Sequence, residues 1–180
     1  MTSTSPSTEA AAAANPDLLQ FVTPEQVCDA IKAAGCAVTP VEQEGVVRLH
    51  SACHGVGFQV LWGNVAVGGQ YLDFTLSCPL RIQGGSLPES ALSSWHRAKR
   101  FARVAQHGDF VVLEMDVVVA GGVSANHLAL TMRLWTQVMG EYFTHLRNFR
   151  AESAPAGGES HSAAPTAPAV LAGTRDEALV

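Results

Sequence analysis

The sequence predicts an α+β domain in which an antiparallel sheet packs against helices. Three observations lead there. Short stretches alternate apolar and polar residues between glycine-marked breaks. Single helical segments separate these runs of strands. The last helical segment is long and apolar along one side. The resulting order is helix, several strands, helix, two strands, helix, which differs from the regular β–α–β alternation of a parallel sheet.

The first helix is predicted over 24–34. Thr23 is placed to cap it, Pro24 suits its first turn, and Gln26 stands where a capping box needs Glu or Gln. Val22 and Val27 have the spacing of a hydrophobic staple. Val27, Ala30, Ile31 and Ala34 recur at helical intervals, and Gly35 fits a left-handed C-terminal cap.

Four strands follow. Ala37 to Glu42 is the first, and Gly45 leads into VVRLHSA, where Val47, Leu49 and Ser51 share one side. His54 and Gly55 make a turn into GFQVLW. After the loop NVAVGGQ, YLDFTLSCPL places Leu72, Phe74, Leu76 and Cys78 on one side, and Pro79 is expected to end regular pairing. Alternation of this kind marks a sheet with one covered face.

A second capping box is read at Ser86 and Glu89, opening a helix from Pro88 to about Arg100 with Leu92 and Trp95 on one side. A strand from Phe101 to Gln106 is expected to turn at His107 and Gly108 and return as DFVVLEMDVVV. That hairpin pairs Val104 with Val111 and makes Arg103 a diagonal neighbour of Glu114. Val104, Val111, Leu113, Met115, Val117 and Val119 form its apolar face. Gly121 and Gly122 break the chain, and Ser124 caps the last helix, about 125–149. Its Leu128, Met132, Trp135, Met139 and Leu146 recur at three and four.

Composition sets the domain limits. Residues 1–17 and 151–180 are rich in Ser, Thr, Ala, Pro and Gly and lack periodic large apolar residues. Both are expected to be disordered tails. The remaining 18–150 make one domain with enough residues for one core. A net charge of −5 argues against a general nucleic-acid binder. No apolar run approaches the ~20 residues of a membrane span, and the N-terminus lacks the pattern of a secretory signal. The four cysteines show no CxxC spacing, so reduced thiols in a cytoplasm are expected.

Several groups invite a chemical reading. Arg97, Lys99, Arg100 and Arg103 are four of the eleven Lys and Arg residues, placed within seven positions of an acidic chain. They read either as an anion site, with Arg97, Arg100 and Arg103 as binding candidates, or as a solvated helix face with cross-strand partners for Glu114 and Asp116. The second reading is favoured, and an acidic surface on a partner protein is the better functional alternative to phosphate. His50, Cys53 and His54 are ligand-type residues, but their spacing matches no standard zinc pattern, and a hairpin turn explains them. The glycines of GGVS read as a sharp exit from a strand rather than a phosphate cradle. Glu114 and Asp116 point the same way along a strand and read as its solvent edge. Trp95, Trp135 and the methionines of the last helix read as core. No catalytic constellation emerges.

The stretch from 86 to 146 resembles the YbjN family of bacterial sensory transduction regulators. The likeness is carried by Trp95, Lys99-Arg100-Phe101-Ala102-Arg103, Leu113-Glu114-Met115-Asp116, Gly121-Gly122-Val123 and Trp135. It continues more weakly through GFQVLW and YLDFTL. The family usually carries Asn two residues before the Trp and just after it, where this chain has Ser93 and His96. The resemblance implies a fold similar to type III secretion chaperones, with apolar surface that binds a partner segment or a second copy. It implies no known catalysis and no cofactor. On this reading Trp95 and Phe101 anchor inward while the arginines face outward. The expected function is a non-enzymatic cytoplasmic protein-binding module, regulatory or chaperone-like. The alternative is a small-ligand or phosphate-binding regulatory domain that uses the basic helix–strand junction.

Overall fold

The structure, a computed structural model, describes residues 17–82 and 87–153, with side chains to 149. Ser86, half of the expected capping box, lies outside the described residues, as do both expected tails apart from Asp17 and 151–153. The elements are β1 (Leu18–Leu19), α1 (Pro24–Ala33), β2 (Ala37–Gln43), β3 (Val46–Cys53), β4 (Val56–Trp62), β5 (Asp73–Arg81), α2 (Glu89–Ala98), β6 (Arg103–His107), β7 (Phe110–Val118), β8 (Val123–Ser124) and α3 (Ala125–Ser153). The architecture is α+β, as the alternation predicts. Six antiparallel strands lie in the order β2-β3-β4-β5-β7-β6, and β1 and β8 form a separate pair.

Local chemistry sets most of these boundaries. Thr23 accepts from the Gln26 N–H at 3.3 Å while its own N–H donates to Gln26 Oε1 at 2.9 Å, so the capping box of α1 is closed in both directions. Val22 and Val27, the staple, are both fully buried. Two-residue turns at Glu44–Gly45 and His54–Gly55 have positive φ at both positions, the geometry that matches the twist of hairpin strands. Ser124 caps α3 by accepting from the His127 N–H at 3.1 Å.

One face of the large sheet carries the core. Leu49, Phe58, Val60, Phe74, Leu76, Leu113 and Met115 point to it, and Ile31, Trp95, Met132, Trp135, Met139 and Tyr142 cover it from the helices. Each such side chain contributes roughly 1.5–3 kcal/mol when fully buried. Trp135 meets Phe58 edge-on at 5.6 Å. The only buried polar side chain on this face among the described residues, Ser51, donates to Ala37 O at 2.6 Å, so its burial is compensated.

Four expectations need correction. The β6–β7 turn lies at Gly108–Asp109, not His107–Gly108, because Gly108 takes φ +57 at the first central position. The register moves by two in consequence: Arg103 stands directly opposite Glu114 and Val104 opposite Leu113. Facing is unchanged, so the apolar side predicted for β7 is the buried one. Pro79 does not end pairing; β5 stays paired with β7 through Arg81. The β4–β5 ladder has ended at Ser77, so the missing N–H of Pro79 falls beyond that ladder. The second helix stops at Ala98 rather than near Arg100, and Pro88 rather than a side-chain cap precedes it. Glu89 is its first residue, so it cannot serve as the third residue of a capping box. Phe101, finally, does not face inward.

Candidate functional site

The junction between α2 and β6 concentrates most of the residues singled out in the sequence. Trp95 is 1% exposed, packs edge-on against Tyr142 at 5.2 Å and donates from Nε1 to Ala102 O at 3.2 Å. His96 Nε2 donates to Val104 O at 3.0 Å. Two neighbouring side chains of α2 thus engage alternate carbonyls at the outer edge of β6.

Between them the chain turns through Phe101 at φ +74, a left-handed conformation that costs a non-glycine residue roughly 1–2 kcal/mol. The turn throws the ring outward, leaving it 62% exposed, and Ala102 takes the buried place expected for it. The Arg100 guanidinium lies over that ring, 5.1 Å from its centroid.

The four basic residues divide by role. Lys99 Nζ pairs with Glu141 at 2.8 Å and ties the end of α2 to α3. Gln137 also donates to Glu141, and the two donors hold that carboxyl below the usual carboxylate range. Arg103 binds Glu114 at 3.0 Å and also pairs with Asp116, which accepts from Thr75 Oγ1 at 2.6 Å. Arg103 is the larger cause, and Thr75 a further one, of an Asp116 pKa below its ordinary value. Arg97 and Arg100 make no ion pair among the described residues, and both are exposed. The structure therefore separates Arg103, neutralised by two carboxylates, from Arg97 and Arg100.

Arg103 also ends a polar row across the open face of the sheet. Thr39, His50, Gln59, Ser77, Glu114 and Arg103 stand opposite one another in sequence from β2 to β6. Beside it, Gly57 and Pro79 floor a shallow hollow of about 350 Å³. Val41, Val46, Leu61 and Val118 are exposed toward one end of the same face. On the covered side, a groove of about 660 Å³ runs between α1, the β2–β3 hairpin and the loop after β4, with Leu49 and Cys28 among its apolar residues and Lys32 and Asp29 among its charged ones.

The remaining sequence candidates disperse. His50 lies on the open face, Cys53 on the helix-covered side, and His54 donates from Nε2 to Thr136 O at 3.0 Å. Among the described residues no group of three or more His, Cys, Asp or Glu is placed to hold a metal. At GGVS, the Ser124 hydroxyl occupies the start of α3 and Gly122 approaches Leu18 of the paired strand. The outward Phe101 was missed although period two contained it. With Val104 and Ala102 facing in, Phe101 belongs on the side of Arg103.

These features define an α+β domain with one face of its sheet closed by helices and the other open. The chain belongs to the YbjN family, whose model, described as "Putative bacterial sensory transduction regulator", matches residues 23–148. The match begins at the cap of α1 and ends in α3, so it takes in all six strands of the large sheet. Neither a curated protein nor a solved structure matches the chain. Among the described residues no helix is long and apolar enough to cross a membrane.

Proposed function

We propose that this chain is a non-enzymatic regulatory module of the cytoplasm that binds a partner protein through the α2–β6 junction. The observation that carries the reading is Phe101. An aromatic ring is held out in solvent, on a backbone conformation that disfavours it, under the guanidinium of Arg100, which like the exposed Arg97 of α2 has no carboxylate partner among the described residues. Strain that persists at an exposed position points to use rather than packing. Aromatic and arginine side chains are also the residues that dominate binding energy at protein interfaces. The partner this chemistry fits is an acidic protein surface with an apolar recess for the ring. Family membership, with its regulatory description, supports the same class of role. The phosphate-binding alternative is weaker because Arg103 already faces two carboxylates.

The test compares proteins captured from the source lysate by the wild-type chain, by Phe101→Gly and by the double variant R97E/R100E. Glycine keeps the backbone conformation and removes the ring. One captured protein should be lost with both variants, and its binding should weaken as salt rises. Thermal unfolding of Phe101→Gly should stay near wild type. Arg103→Ala should instead lower stability by about 1 kcal/mol, the scale of partly exposed ion pairs. Unchanged capture by both junction variants would refute the reading. A second copy of this chain as the lost partner would show as a sedimentation change and make the junction a dimer contact.

A further inference from the structure

Cys36 and Cys53 are neighbours that the hairpin geometry brings together. The β2–β3 register pairs Ala37 with Ala52, and one further step places Cys36 opposite Cys53. Directly opposed residues of an antiparallel pair project to the same face, with Cβ atoms about 4.5–5.5 Å apart. A disulfide needs Cβ atoms about 3.5–4.5 Å apart, so a movement of about 1 Å suffices. Both cysteines are free thiols; Cys36 is buried and Cys53 is partly exposed. Cys78 stands opposite Leu113 instead, and Cys28 lies on α1. Both are buried.

We propose that Cys36 and Cys53 form a reversible oxidation site, closed to an internal disulfide by exchange with a low-molecular-weight disulfide of the glutathione class. Cys53, the reachable thiol, attacks as its thiolate. The disulfide of the reagent breaks, a Cys53–glutathione bond forms, and one glutathione thiolate leaves and takes up a proton. Cys36 then loses its proton to solvent and attacks the Cys53 sulfur, releasing the second glutathione. Two protein thiols lose two electrons, and one glutathione disulfide becomes two thiols. Burial, with a smaller contribution from Cys53, pushes the Cys36 thiol up to about 12, which leaves the first attack to Cys53 and makes the resolving step the slow one. The crosslink would tether the exit of α1 to the turn whose His54 docks on α3. The inference is independent of the α2–β6 junction.

The full reduced chain, incubated with oxidised glutathione at about pH 8 to raise the thiolate fraction, is then denatured, alkylated with N-ethylmaleimide and weighed. The four alkylatable thiols should fall to two, and peptide mapping should find Cys36 joined to Cys53. Formation of the crosslink should accelerate as pH rises. Cys36→Ala should stop at a stable Cys53–glutathione adduct, and Cys53→Ser should leave every remaining thiol free. A wild-type chain that keeps four thiols, that stops at the glutathione adduct, or that joins a different pair would overturn the proposal.

Discussion

At φ +96, Gly122 occupies backbone territory that L-residues rarely enter, and a Cβ there would lie 3.2 Å from Leu18 Cβ and Cδ1. Gly122→Ala therefore meets two costs at once, an incompatible conformation and an overpacked β1–β8 pair. The expected loss is about 2–3 kcal/mol, read from the urea midpoint. A loss under about 0.5 kcal/mol would mean that β1 moves away freely. Phe101 makes the contrast: its φ of +74 is also left-handed, yet no glycine is used there. One position spends nothing on a side chain because there is no room. The other retains a large ring at a strained, open place, and that asymmetry is why Phe101 reads as functional. Trp95 and Trp135 were legible as core because helical spacing alone fixes their side. Phe101 was misplaced because Phe in a basic run reads as an anchor until strand alternation is extended back through Ala102.

The same junction, taken as an element, is a lid on a strand edge. β6 is an outer strand of the sheet, and α2 engages its outer edge with Trp95 on Ala102 O and His96 on Val104 O. An uncovered edge is a template for unwanted pairing, so a helix that supplies donors to it serves both stability and solubility. The bond is made by the Nε2 of His96, an atom whose place the amide nitrogen of a Gln can take and which the side chain of an Asn is too short to reach. His96→Gln should thus remain within about 0.5 kcal/mol of wild type, whereas His96→Ala should lose roughly 1–2 kcal/mol by leaving the carbonyl without its donor. Equal losses in the two variants would show that the imidazole ring packs rather than bonds. Elements of this size were readable where caps and glycines mark them, as at Thr23 and Ser124. They were not readable where pairing depends on a distant partner. The two-residue strands β1 and β8 carry no periodicity, and Pro79 stays paired because β7 continues past the end of the β4 ladder. The β6–β7 register hung on whether Gly108 opens or closes the turn, which composition alone leaves undecided.

For the whole molecule, ion pairs outside and thiols inside bound the pH range of stability from opposite sides. Asp116, held down chiefly by Arg103, and Glu141, held down chiefly by Lys99, have folded pKa values below their ordinary ones. Their contribution is complete above the unfolded carboxylate range of about 3.9–4.3 and is lost as pH falls through the folded values. Because both carboxylates are well exposed, this acid limb should be shallow, and it should flatten further in Asp116→Asn. The alkaline limb has the reverse sign. Burial raises Cys78 to about 11, and Cys36 is raised to about 12, so the folded state keeps protons that the unfolded chain releases from about pH 8.5. Their contribution is complete below that value and falls as pH rises toward the folded values, by about 1.4 kcal/mol per pH unit for each thiol. Urea midpoints of the reduced chain should then hold steady between roughly pH 5 and 8 and fall from pH 8.5 to 10.5. Cys78→Ala should make that fall shallower while leaving the acid limb in place, since it deletes one of the groups whose proton burial retains, beside Cys36 and Tyr142. An alkaline limb of the same steepness in Cys78→Ala would mean that Cys78 ionises without unfolding the sheet it sits in. In that case the stability of the covered face would rest on the helices rather than on a dry interior.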